Sequence, residues 1–228
     1  MKLICFDIDG TLIWTDGAGR RAIGHALVEV LGSAGPIDTF RFDGRTDGEI
    51  VLRLGALAGV PVDDGALARV LEAYVERLRE ELARPGHATK VYPGVRDLLD
   101  ALEQRADCVI GLVTGNVVDG ARLKLGSAGL GFERFRVGGF GSDSHVRGDL
   151  PGVARRRASE LLGADLPGRD VVIIGDTPAD MACGAGIGAR AIGVGTAAYR
   201  PETLRETGAH AAFDDLSDTG AVLEAIFA

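Results

Sequence analysis

Short apolar runs that each stop at a glycine, an acid or both recur along the chain with helical patterns between them, and this alternation limits the fold more than any other feature. The first run, residues 2–8, is rich in large and β-branched side chains and breaks at Asp9-Gly10. Others lie at 108–113, 171–175 and 189–194, each followed by turn-forming or polar residues and then helical spacing. Fully apolar strands separated by helices predict an α/β fold: a doubly wound parallel sheet covered on both faces.

From about residue 16 to residue 84 the alternation fails. Ile23, Ala26, Leu27, Val30 and Leu31 fall at helical spacing, as do Ile50, Leu54, Leu57 and Ala58. The clearest helix carries Leu67, Val70, Leu71, Tyr74, Val75, Leu78 and Leu82 on one face. The spacing therefore predicts a helical insert after the first strand, closed by Arg84-Pro85-Gly86, with Tyr92-Pro93-Gly94 marking the return and a helix from 95 to about 105. The expected division is 1–14 and 88–228 for the α/β core domain and 15–87 for the helical domain.

Charge and cysteine content narrow the function. The 228 residues hold 25 Lys plus Arg against 33 Asp plus Glu, a net charge of −8, which argues against a basic nucleic-acid-binding surface. Cys5, Cys108 and Cys183 are odd in number and lack a C-x-x-C, so neither a disulfide framework nor a zinc site is expected, and a reducing, cytoplasmic setting is. Asp7 and Asp9 interrupt the apolar N-terminus before a signal-peptide core or membrane span can form. The expected partner is a small molecule, with no nucleic acid and no membrane; the oligomeric state stays open.

Residues two apart on a strand share a side, so Asp7 and Asp9 are expected to aim together at the mouth of the sheet, where open α/β sheets hold ligands. Two other runs end in polar residues at that level: Thr114-Gly115-Asn116, and Gly175-Asp176 followed by Asp180. Four carboxylates converging on one crevice repel unless protonated or neutralised. Magnesium is the obvious neutraliser, because it takes one or two carboxylates and completes its shell with water and substrate phosphate. Glycines and helix N-termini beside the acids suit an anion. Together these point to phosphate chemistry.

The run Asp7-Ile8-Asp9-Gly10-Thr11-Leu12, then Thr114-Gly115-Asn116, then Gly175-Asp176-Thr177-Pro178-Ala179-Asp180 resembles the haloacid dehalogenase superfamily of hydrolases. The helical insert after the first motif is similar to the cap of its phosphoglycolate-phosphatase-like branch. The resemblance implies a Rossmann-like core with an inserted α-helical cap and a Mg2+-dependent phosphatase acting on a small phosphorylated metabolite. By the same resemblance Asp7 is the nucleophile, forming an aspartyl phosphate, and Asp9 is the general acid and then base. Thr114 and the Gly115 N–H hold the phosphate with Asn116, and the metal takes Asp7, the Asp9 backbone carbonyl, Asp176 and Asp180. One motif departs from the pattern. Where the family has a lysine before the Gly175-Asp176 strand, residues 142–151 contain none; Arg147 is the substitute favoured by position, and Lys124, after Asn116, is its competitor.

Several residues carry a second reading. Thr46 or Asp47 reads as the cap of a helix, Asp180 as part of a capping box with Thr177, and Thr114 and Asn116 as helix caps. Arg45, in the turn before Thr46, is a candidate for substrate selection because the family places a cap loop there over the active site. Trp14 either lines the same cavity or packs at the hinge. The rival functions are a phosphomutase of the β-phosphoglucomutase type, a 2-haloacid dehalogenase, and a phosphate-binding or receiver module without turnover.

Overall fold

The computed structural model describes residues 1–228. Six strands form one parallel sheet: β1 (Lys2–Phe6), β4 (Cys108–Thr114), β5 (Val137–Phe140), β6 (Val171–Gly175), β7 (Arg190–Val194) and β8 (Ala211–Phe213), in the order β5-β4-β1-β6-β7-β8. The first strand of the sequence is thus central, with Ile4 opposite Ile110 on one side and Val172 on the other. Side chains alternate along it. Ile4 and Phe6 join a core with Leu98, Leu99 and Leu102 of α4 (Val95–Glu103), Leu125 of α5 (Val118–Ser127), and Val222 and Ile226 of α9 (Thr219–Phe227). Leu3 and Cys5 face the opposite layer, against Leu150, Ala154 and Ala158 of α6 (Leu150–Leu162) and Cys183 of α7 (Pro178–Cys183). Each large apolar side chain so buried contributes about 1.5–3 kcal/mol before entropy is counted.

The helical insert is α1 (Ala18–Leu31), α2 (Asp47–Leu57) and α3 (Asp64–Leu82). Ile23, Leu27, Leu54, Val70, Tyr74 and Leu78 make its own core, to which Val117 of the sheet domain is joined. The chain leaves and rejoins the core through one antiparallel ribbon, β2 (Ile13–Trp14) with β3 (Lys90–Val91), pairing Ile13 with Val91 and Trp14 with Lys90. Asp16 (φ 48°) and Gly17 (φ 72°) turn the chain into α1. No helix is long and apolar enough to cross a membrane.

The structure agrees with the strands expected near 108, 171 and 189 and with the helices at 64–82 and 95–103. It corrects the first strand, which ends at Phe6 rather than Ile8. It also adds β5 and β8, short strands toward the sheet edges whose Val-Gly-Gly-Phe and Ala-Ala-Phe sequences carry little apolar signal.

Candidate active site

Because β1 stops at Phe6, Asp7 and Asp9 do not share a strand face. The Asp7 N–H still donates to the Ile174 carbonyl at 2.9 Å, extending the β6 ladder by one residue. Asp9 lies in the turn beyond, bridged to Ile13. Gly10 makes that turn at φ 90°, and a Cβ there would run into the Asp176 carboxylate; only glycine allows both. Thr11 then donates its hydroxyl to Asp176 Oδ1 at 2.9 Å. The loop therefore folds down on the end of β6 and sends its two aspartates to different neighbours.

Asp7 joins Asp176 and Asp180 in a buried acidic triad whose ligand oxygens lie within 4.8 Å of one another. Burial pushes Asp7 up to about 7, with Arg147 opposing, Asp180 and Asp9 adding, and Thr114 opposing. Asp176 is raised well above the carboxylate range, first by burial and then by Asp180 and Asp7. Three hard oxygen donors whose charges repel in a dry site fit a hard divalent cation.

Arg147 sits against this triad. Its Nη2 is 3.2 Å from Asp7 Oδ1 and donates to Asp180 Oδ1, while its Nε is buried with no hydrogen-bond partner. The other oxygen of Asp180 accepts from the Thr177 N–H at 3.0 Å and its hydroxyl at 2.6 Å, which makes the capping box of α7 real. Capping and triad roles coexist in Asp180, because each of its oxygens has its own donors.

Asp9 belongs to a second cluster. Its Oδ2 accepts from Lys124 Nζ at 2.6 Å and from Asn116 Nδ2 at 2.8 Å. The Asn116 amide also donates to Thr114 Oγ1 at 2.8 Å, and its Oδ1 accepts from Lys124 at 2.6 Å. Arg147 and Lys124, competitors in the sequence, thus occupy separate places, one on Asp7 and one on Asp9. Asn116 is engaged with Asp9 and Lys124 rather than turned free toward a ligand.

The cap reaches both clusters. Thr46 caps α2, its hydroxyl accepting the Glu49 N–H at 3.1 Å and donating to the His145 carbonyl at 2.8 Å. The Asp47 N–H donates to the Gly115 carbonyl and its carboxylate accepts the Val117 N–H, each at 2.8 Å. A Cβ on Gly115 would strike the Arg45 carbonyl, so the cap loop lies directly on the second motif. Between cap and core is a cavity of about 230 Å³, lined among others by Asp7, Asp9, Trp14, Arg45, Asp47 and Lys124. Trp14 lies in β2 and lines this cavity, but it is exposed rather than packed away at the hinge. Arg45 lines the cavity, yet its guanidinium is tied to Glu49 and to the Arg41 carbonyl.

Sequence reasoning missed Thr11, Asp47 and Tyr74 as members of the site. Tyr74 reads only as part of an apolar helix face, and Asp47 only as a helix cap; a buried aspartate has no spacing signature when its partner is 70 residues away.

These features agree with comparison to known proteins. Residues 1–188 match the haloacid dehalogenase-like hydrolase family, and the chain belongs to it. Its fold is similar to that of a hydrolase from Pseudomonas syringae (TM-score 0.75, 22% identity, covering 99% of each chain). It is also similar to a predicted phosphoglycolate phosphatase from Haemophilus somnus (TM-score 0.70, 18% identity, 98% of each chain). CbbY from Rhodobacter sphaeroides in complex with phosphate has a TM-score of 0.68 at 22% identity over 96% of each chain. No curated protein sequence matches the chain.

Proposed function

We propose that the protein is a Mg2+-dependent phosphatase that hydrolyses a small phosphorylated metabolite through an aspartyl phosphate on Asp7. The observation that carries this reading is the placing of Asp7 between a buried acidic pair and a buried arginine, with a second aspartate two residues on that makes none of those contacts. One carboxylate is thereby set for attack and the other for proton transfer.

An Asp7 carboxylate oxygen attacks phosphorus while the bond to the leaving oxygen breaks, and Asp9 gives that oxygen its proton. Water then attacks the same phosphorus, Asp9 takes a proton from it, and the bond to Asp7 breaks to free inorganic phosphate. Thr114 and the Gly115 N–H hold the phosphoryl oxygens, and Arg147 balances the charge of Asp7 and Asp180. Asp7, Asp176, Asp180 and the Asp9 carbonyl would hold Mg2+, whose bound form supplies charge neutralisation at the transferring phosphoryl group. The cap, 15–87, excludes bulk water from the reacting groups, and Arg45 contributes to substrate choice at the cavity wall.

A cavity of about 230 Å³ suits a small metabolite, and the kinship of fold with a predicted phosphoglycolate phosphatase puts phosphoglycolate first among those to try. Three free cysteines suit a reducing, cytoplasmic setting. The test is phosphate release from an aryl phosphate and a panel of phosphorylated metabolites, with Mg2+ and then with excess EDTA. Release that needs Mg2+ is expected. Halide release that survives EDTA, or an isomeric sugar phosphate in place of inorganic phosphate, overturns the reading in favour of a dehalogenase or a mutase.

A further inference from the structure

Lys124 projects from a core helix but is buried at 5% exposure under cap residues. Two of its three donors go to the core, to Asp9 Oδ2 and Asn116 Oδ1. The ammonium then faces α1 and α3: a Cβ added to Gly19 would lie 3.3 Å from Nζ and 3.8 Å from the Tyr74 hydroxyl, so both atoms rest against the same turn of α1. Burial works against the charge on Lys124, but Asp9, Tyr74 and Asp47 outweigh it and hold its pKa above the usual lysine range. Two of those three belong to the cap. A buried ammonium needs such partners, because water no longer reaches it.

Lys124 also decides which oxygen of Asp9 is free. Oδ2 takes both the lysine and the Asn116 amide, which leaves Oδ1 for a proton in transit. We propose that Lys124 is a positioning residue for Asp9, held from the cap side by Tyr74 and the α1 turn at Gly19, so that seating the cap on the lysine also fixes the acid–base group. This rests on the acid–base role assigned to Asp9 above. It separates Lys124 from Arg147: the lysine acts through Asp9 and the arginine on Asp7.

The test is a double-mutant cycle read as kcat and KM for p-nitrophenyl phosphate with Mg2+, using Lys124→Met, Asp9→Asn and the pair, each checked for folding by near-UV circular dichroism. Lys124→Met should lower kcat about 10²-fold, within the range of acid–base effects, with little change in KM. In the Asp9→Asn background it should cost less than about threefold, because its route to the chemistry is already cut. An equal loss in both backgrounds, or a native kcat in Lys124→Met, overturns the proposal. Native turnover in Asp9→Asn alone instead overturns the acid–base reading on which it rests. Should Lys124→Met fail to fold, Tyr74→Phe removes one cap-side hydroxyl; it should cost about fivefold in the native background and nothing beside Asp9→Asn, and equal costs would refute the coupling.

Discussion

Arg147 and Lys124 are both buried cations that contact an aspartate of the same short loop, but their surroundings differ in origin. Arg147 finds Asp7 just beyond β1 and Asp180 in the first turn of α7, so its ion pairs are complete within the core. Lys124 finds Asp9 and Asn116 in the core, and Tyr74 and the α1 turn at Gly19 in the cap. One cation sits beyond the carboxyl ends of the central strands, while the other is buried where cap and core meet. A site with several acids therefore need not use one counter-charge for all of them. Here Asp7 and Asp9 are balanced by separate cations, and the one on Asp9 is buried under the cap helices α1 and α3.

Four substitutions press on that contrast. The largest effect is expected from Asp7→Asn, which keeps the shape but removes the attacking oxygen's charge: phosphate release should fall at least about 10³-fold while the circular dichroism spectrum is unchanged. Native-like turnover would take the nucleophile's role away from the Arg147 side altogether. Next, Arg147→Ala should reduce turnover more than Lys124→Ala and should also destabilise the protein by ~3–5 kcal/mol, because it leaves buried carboxylates unpaired. Denaturant unfolding checks the second part, and added Mg2+ should restore some of the loss. The reverse ranking of the two alanine variants would give the central role to Lys124.

The smallest effect concerns Asp47. Burial, helped by Asp9 and opposed by Lys124 and the Val117 N–H, holds it up at about 6. A carboxyl whose folded pKa is raised contributes stability below its unfolded pKa and loses it as pH climbs through the folded one. Asp47→Asn cannot ionise, so its stability relative to wild type should improve between about pH 4 and pH 8, by an amount on the order of 3 kcal/mol at most. A difference that is flat across that range would show that Lys124 fully compensates Asp47.

The two sides are not equally legible in the sequence. Asp7 and Asp176 stand at the ends of apolar runs, where burying an acid is costly unless the site uses its charge, with Asp180 four residues after Asp176, and the structure brings the three together. Arg147 is legible only through the family resemblance, as one of two candidates for the missing lysine, and the structure places it on Asp7 and Asp180. Lys124 reads only as a competitor for Arg147's role, because nothing local shows that a lysine eight residues after Asn116 turns back toward Asp9. Asp47 and Tyr74 depend on how the cap sits on the core, and that packing leaves no period in the sequence. The same holds for Asp9: a period of two places it on β1 beside Asp7 only if the strand reaches residue 9, whereas the strand ends at Phe6 and Gly10 and Thr11 fold the loop onto Asp176.

The strand order has a consequence for the making of the protein. β1 is made before β4 and β6, yet it lies between them, and they begin only at Cys108 and Val171. At about 5–20 residues per second, β1 waits many seconds before both neighbours exist. The three cap helices pack mainly on one another and are complete by Leu82, so local contacts can form there first. Asp7 is therefore synthesised well before Arg147, Asp176 and Asp180, the groups that surround it.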